Sequence, residues 1–190
     1  MYKGKKILGV IPARGGSKRV PFKNITIFRG QPLIMWAMQH AAASKYIDLW
    51  IVSTEDKAIA LHAGTHLLDR PACLAEDKVP TEAVMVHALY AIPGYDFAVL
   101  LQPTSPLRTV EDIDRCIEIA VDQHGAQSLT GCVSYNEYGK RNGAVFVCNV
   151  EHFLQFLSFD AAHHYEMPNS RSLDINHPWD FTAGEIHGNS

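Results

Sequence analysis

The strongest constraint on this chain is a regular alternation of short apolar runs with segments of helical period. Ile7 to Pro12 is an unbroken apolar run of strand length, and Leu49 to Ser53, Thr65 to Leu68 and Phe97 to Leu101 follow at intervals. Between and after them come helical patterns over Pro32 to Ser44, Asp56 to Ala63, Pro80 to Ile92 and Val110 to about His124. Strands without polar alternation are buried on both faces, the condition of a parallel sheet covered by helices. Ser128 to Tyr135 and Gly143 to Val147 read as two further strands. The expected fold is therefore α/β, a sandwich with a mainly parallel sheet whose ligands sit beyond the carboxyl ends of the strands.

At 190 residues the chain fills one domain of ordinary size, 1–190, and no linker or repeat divides it. The apolar fraction of 47% excludes a charge-dominated disordered chain. No apolar run approaches the roughly 18 residues of a membrane span. The net charge of −3 gives no general attraction for nucleic acid, so any anion-binding surface must be local. The basic start Met1 to Lys6 leads into a run ending at Arg14 without a cleavage site, which reads as a strand and not as a signal peptide. Cys73, Cys116, Cys132 and Cys148 form no C-x-x-C pair, so reduced thiols and a cytoplasmic location are expected. His163-His164 lacks a spaced third ligand and reads as a loop pair.

Three segments carry candidate chemistry. Pro12 to Asn24 packs Arg14, Lys18, Arg19 and Lys23 with Gly15, Gly16 and Ser17. Glycines admit backbone N–H groups to phosphate oxygens and the cations neutralise charge, so the composition suits a polyphosphate; a solvated basic loop is the alternative. Neither common nucleotide fingerprint, G-x-x-x-x-G-K-[ST] nor G-x-G-x-x-G, is present. Gln102 to Arg108 holds two prolines with Gln102, Thr104 and Ser105, a stiff loop able to orient a polyhydroxylated ligand or to lead into a helix capped by Thr109 with Asp112. Asp174 and Asn176, two apart on an extended segment, share a face and fit Mg²⁺, unless the segment is simply an acidic loop.

Together these segments resemble the acylneuraminate cytidylyltransferases, or CMP-sialic acid synthetases. The resemblance rests on Ile11 to Lys18 with Lys23-Asn24, Asp69 to Ala72 with Leu74-Ala75 and Asp77, Leu101 to Arg108, Arg141 to Ala144, and Ser172 to Ile175, all in family order. It implies a Rossmann-like three-layer α/β sandwich of the nucleotide-diphospho-sugar transferase type. The implied reaction joins CTP to an acidic nine-carbon sugar, giving the CMP-sugar and pyrophosphate with Mg²⁺ as cofactor. The implied catalytic residues are Lys18, Lys23 and Asp174. Ala13, Arg14, Gly15, Gly16, Ser17, Lys18, Lys23, Asn24, Arg70 and Thr81 would bind nucleotide. Gln102, Thr104, Ser105 and Phe159 would face the sugar, and Asp174 with Asn176 would hold the metal.

Two departures from the family pattern bear on function. Asn176 stands where a second aspartate is usual, so one metal ligand is neutral. Between Val133 and Arg141 only Ser134 to Lys140 replaces a subdomain that pairs protomers in the family. That is hairpin length. A monomer or a different oligomer is expected, with sugar contacts missing from across the family dimer. Another acidic sugar, such as a ketodeoxyoctonate, and a catalytically impaired CTP-binding homologue are the alternative readings.

Overall fold

The computed structural model describes residues 1–123, 131–159 and 163–186. In chain order the elements are β1 (Ile7–Pro12), β2 (Ile27–Phe28), β3 (Gln31–Pro32), α1 (Leu33–Ala43), β4 (Leu49–Thr54), α2 (Lys57–Ala63), β5 (Leu67–Asp69), α3 (Thr81–Ala91), β6 (Phe97–Leu100), α4 (Val110–Asp122), β7 (Gly131–Asn136), β8 (Arg141–Asn149), α5 (Val150–Phe156), β9 (His163–Met167) and α6 (Pro178–Ile186). The expected α4 end at His124 and the first residues of the Ser128 strand lie outside the described residues.

Seven strands form one sheet in the order β5-β4-β1-β6-β8-β7-β9. β1 pairs in parallel with both β4 and β6, β4 with β5, and β7 with β9, whereas β8 runs antiparallel to β6 and β7. From β1 the chain first moves outward to β4 and β5, then returns to place β6 on the other side of β1. That reversal opens a crevice at the carboxyl ends of β1 and β6, where open α/β sheets take their ligands.

β1 shows why the sequence forms three layers. Ile7 and Ile11 belong to a core with Ile34 and Ala37 of α1 and Ile113 and Ile117 of α4. Leu8 and Val10 join Met85 and Ala88 of α3 and Phe153 of α5 on the opposite face. Alternate side chains of one strand thus serve both faces, which requires an apolar residue at nearly every position. A smaller cluster of Phe28, Leu33 and Ile175, with Leu173 and Phe181 against it, docks the C-terminal segment on the start of α1. α4 begins with the expected capping box: Thr109 Oγ1 accepts from Asp112 N and Asp112 Oδ2 accepts from Thr109 N.

Two expectations are revised. His163 and His164 form part of edge strand β9, paired in parallel with Cys132 and Val133. The third strand is shifted to Leu67–Asp69, after a short 3-10 turn at Gly64–His66. The Ser134 to Lys140 connection is a tight hairpin, with Asn136 Oδ1 accepting from Tyr138 N and Lys140 N at 3.0 Å each. Among the described residues no helix is long and apolar enough to cross a membrane.

Candidate active site

The loop leaving β1 is fixed at its base before its cations reach the crevice. Ala13 N donates to Ser53 O at 3.0 Å and its side chain is fully buried, so this alanine anchors the loop and its N–H is committed to β4. Gly15 N donates to Glu55 Oε1 at 2.8 Å. A methyl group on Gly15 would lie 2.8 Å from both Cβ and Cγ of Asp56, so the glycine is required by close approach; one on Gly16 would meet nothing within 4 Å. Buried Asn24 donates from Nδ2 to Arg14 O at 2.9 Å and holds the far end of the loop against its start.

Arg14, Arg19, Lys23, Asn24, Arg70, Thr81, Gln102, Thr104 and Asn176 line one cleft of ≈ 380 Å³. An adjoining hollow of ≈ 360 Å³ adds Ser17 and Lys18 to Arg14, Arg19 and Lys23. Five cations, Arg14, Lys18, Arg19, Lys23 and Arg70, therefore surround one continuous region at the carboxyl ends of β1 and β6. Arg70, itself buried, donates from Nε to Ser53 Oγ at 3.2 Å and from Nη2 to Ser53 O, and burial lowers its pKa. Thr81 opens α3 on the opposite wall.

Lys23 donates from Nζ to Ile175 O at 3.0 Å. Burial lowers its pKa, and the Asp174 carboxylate acts against that shift. Asp174 Oδ2 accepts from Asn176 Nδ2 at 2.7 Å, while its Oδ1 is buried with no hydrogen-bond partner among the described residues. A buried carboxylate oxygen left without a donor is costly in isolation and suits a cation. Asn142 holds this segment, donating from Nδ2 to Ser172 Oγ at 3.0 Å while its Oδ1 accepts from Ser134 Oγ at 2.7 Å. Gly143, in the left-handed region at φ 74°, sits between Gln102 and Asp174: a Cβ there would be 3.8 Å from Gln102 Oε1 and 3.9 Å from Asp174 Oδ2.

The proline-containing loop is held by an arginine the sequence did not single out. Arg108, 1% exposed, donates from Nη1 to Gln102 O at 2.7 Å and to Ala144 O at 2.9 Å, and burial pushes its pKa down to about 9. Thr104 O accepts from Ile175 N at 2.8 Å, tying the same loop to the Asp174 segment. Ser105, expected to face the sugar, is instead fully buried and does not line the cleft, and its hydroxyl has no hydrogen-bond partner among the described residues.

The structure thus brings together Arg14, Ser17, Lys18, Lys23, Asn24, Arg70, Thr81, Gln102, Thr104, Asp174 and Asn176, with Gly15 and Gly16 shaping the loop. It does not bring Phe159 to the cleft: that ring packs 4.9 Å from Phe153 and 5.3 Å from Phe146 in the core beneath α3. Arg19 and Asp77, which line the cleft, were outside the expected set; Arg19 had the signal of its place in the basic loop. A third hollow of ≈ 520 Å³ opens on the other side of Asp174, walled by Leu107, Leu173, Asn136, Asn169 and Ser170.

Residues 8–148 match the family model described as cytidylyltransferase. The chain is 29% identical to the N-acylneuraminate cytidylyltransferase of Escherichia coli over 93% of its own length, and spans about half (50%) of that protein. It is 28% identical to the CMP-N,N'-diacetyllegionaminic acid synthase of Legionella pneumophila, covering 95% of each. The alignments run to 212 and 225 residues, longer than this chain, so both relatives carry segments that it lacks. Among solved structures, CMP:2-keto-3-deoxy-manno-octonic acid synthetase in complex with CTP superposes with a TM-score of 0.76 at 13% identity, over 95% of this chain and 97% of that one, which establishes the shared fold. With three quarters of its length under the family model, and a cation-lined crevice at the switch point of its sheet, the chain belongs to the cytidylyltransferase family.

Proposed function

We propose that this chain transfers CMP from CTP to a hydroxyl of an acidic nine-carbon sugar of the sialic acid type and releases pyrophosphate. The observation that carries this reading is the meeting of the basic β1 loop, Lys23 included, with Asn176 at the crevice, where Asp174 is hydrogen-bonded to Asn176 and its charge acts on Lys23. The transfer brings a polyanionic nucleotide against a carboxylate sugar, and like-charge repulsion of that kind must be offset by fixed cations. Arg14, Ser17 and Lys18 would hold the triphosphate, with Lys23 at the phosphate under attack. Arg70 and Thr81 would border the nucleoside. Gln102 and Thr104 would orient the sugar, its neutral arm entering the hollow beyond Asp174, where the lining among the described residues offers two amides, two hydroxyls and two leucines but no cation.

The residues fit a divalent cation such as Mg²⁺. Among the described residues no cluster of three His, Cys, Asp or Glu side chains forms. Asp174, with its unpaired Oδ1, and the Asn176 amide offer two oxygen donors, and Mg²⁺ takes its remaining positions from phosphates and water. When bound it would neutralise charge on the transferred phosphate and on the leaving pyrophosphate. Lys23, fixed by Ile175 O, keeps its ammonium in place for the same charge. Nucleotidyl transfer of this sort needs positioning and electrostatics without a covalent enzyme intermediate.

The short β7–β8 hairpin leads us to propose a single-domain enzyme that works without the family's pairing segment, in the cytoplasm where its cysteines stay reduced. The test is pyrophosphate release with CTP and a panel of nonulosonates and an eight-carbon ketodeoxy acid. Turnover with a nonulosonate supports the reading. Turnover only with the shorter acid, or saturable CTP binding without turnover on any sugar, overturns it.

A further inference from the structure

Asp77 stands outside every role assigned above, yet it touches both hollows of the nucleotide cleft. It lies on the loop between β5 and α3, across the crevice from the β1 loop. Its carboxylate engages two cations at once: Oδ1 accepts from Arg14 Nη1 and Oδ2 pairs with Lys18 Nζ. Arg14 Nη1 also reaches Ala75 O at 3.4 Å, so the guanidinium is bound to this loop at two points. The hydrogen bonds from Lys18 and Arg14 hold the Asp77 carboxyl below its usual range, so it is a full anion near neutral pH.

A carboxylate that spans a lysine and an arginine offers them two anionic oxygens in the way a phosphate does. The Lys18 side chain is 83% exposed and has no burial to fix it, so Asp77 is what draws its ammonium over the cleft. A polyphosphate that takes Arg14 Nη1 and Lys18 Nζ competes with Asp77 for them, because both nitrogens already face that carboxylate. The pairs are partly exposed, at 35% for Arg14 and 32% for Asp77, and pairs of that kind exchange partners at small cost.

Resting on the reading that this cleft takes CTP, we propose that Asp77 is a positioning residue that competes with polyphosphate for Arg14 and Lys18. It aligns the two cations for an incoming triphosphate and reclaims them as pyrophosphate leaves. The trade is weaker pyrophosphate binding in return for faster release. Glu76, its exposed neighbour on the same cleft, contributes the same charge without either contact, and so separates local competition from general repulsion.

The experiment measures binding of inorganic pyrophosphate and of CTP by calorimetry, and product inhibition by pyrophosphate, in the wild type, Asp77→Asn and Glu76→Gln. Asp77→Asn should bind pyrophosphate about fivefold tighter and be inhibited by it at correspondingly lower concentration, while Glu76→Gln changes either value by less than about twofold. Pyrophosphate binding by Asp77→Asn that equals or falls below the wild type overturns the proposal, as does an equal gain in Glu76→Gln. If the wild type binds neither CTP nor pyrophosphate, the nucleotide reading of the cleft fails, and this inference with it.

Discussion

Replacing Gly15 and Gly16 one at a time by alanine separates close approach from mere loop flexibility. Neither glycine has a positive φ, so neither is required by its backbone conformation. At Gly15 the added methyl would stand 2.8 Å from Cβ and Cγ of Asp56, whose Oδ1 caps α2 by accepting from Ala58 N and Ile59 N at 2.8 and 3.0 Å. Either the cap yields or the loop lifts. Overpacking of this kind costs about 1–3 kcal/mol, and loss of the cap alone about 1 kcal/mol. A lifted loop also withdraws Arg14 and Ser17 from the cleft, which should weaken CTP roughly tenfold or more, the worth of one charge-assisted hydrogen bond. Gly16→Ala meets no atom and should stay within about 0.5 kcal/mol of the wild type in stability. Urea midpoints and CTP titrations on both variants provide the assay. Equal behaviour of the two would refute the assignment of Gly15 as a contact-driven glycine.

Three further outcomes follow from the same geometry. Asn176→Asp replaces the 2.7 Å amide–carboxylate bond with two facing carboxylates, costing about 1–4 kcal/mol without metal, so its Tm should fall in chelator and recover steeply with Mg²⁺; identical Mg²⁺ titrations for variant and wild type would place residue 176 off the metal. Asp112 is fully buried and accepts from Arg171 Nη2 at 2.7 Å, Arg171 Nε at 3.1 Å and Tyr165 Oη at 3.0 Å; burial raises its pKa, but the bonds from Arg171 and Thr109 outweigh this and leave it lowered. Asp112→Asn should cost about 3–5 kcal/mol in denaturant unfolding, and the wild-type contribution should be complete above the unfolded carboxyl value of about 3.9 and fade as pH falls through the lower folded value. Burial, with Arg108 nearby, holds the His40 imidazole down to about 4, so the unfolded chain takes up a proton that the folded one refuses. Stability should therefore drop between about pH 6.5 and 4, by up to about 3 kcal/mol, and His40→Gln should flatten that slope.

The sequence was most legible where one physical demand acts alone. β1 must be apolar on both faces, and the capping box at Thr109 and Asp112 is a local exchange of hydrogen bonds, so both are found where expected. β9 is hard to read because its inward positions His163, Tyr165 and Met167 alternate with exposed His164 and Glu166 but include only one fully buried apolar residue, Met167; it is an edge strand with only one paired side. Phe159 was assigned to the sugar on resemblance, but the ring completes an aromatic core with Phe146 and Phe153 that residue type cannot distinguish from a ligand pocket. Arg108 and Asp77 owe their positions to loops far apart in the chain. One supplies donors to the carbonyls of Gln102 and Ala144, the other bridges two loops; both stand in segments that carry the resemblance, but the partners that give them their roles lie elsewhere in the chain.

The central claim is tested most directly by single-turnover pyrophosphate release from CTP and N-acylneuraminate, comparing the wild type with Lys23→Ala and Asp174→Ala. The account predicts Mg²⁺-dependent release by the wild type and a fall of roughly 100-fold or more in each variant, the scale of losing one charge-stabilising group at a transfer site, with circular dichroism unchanged. Release by either folded variant at the wild-type rate would contradict it.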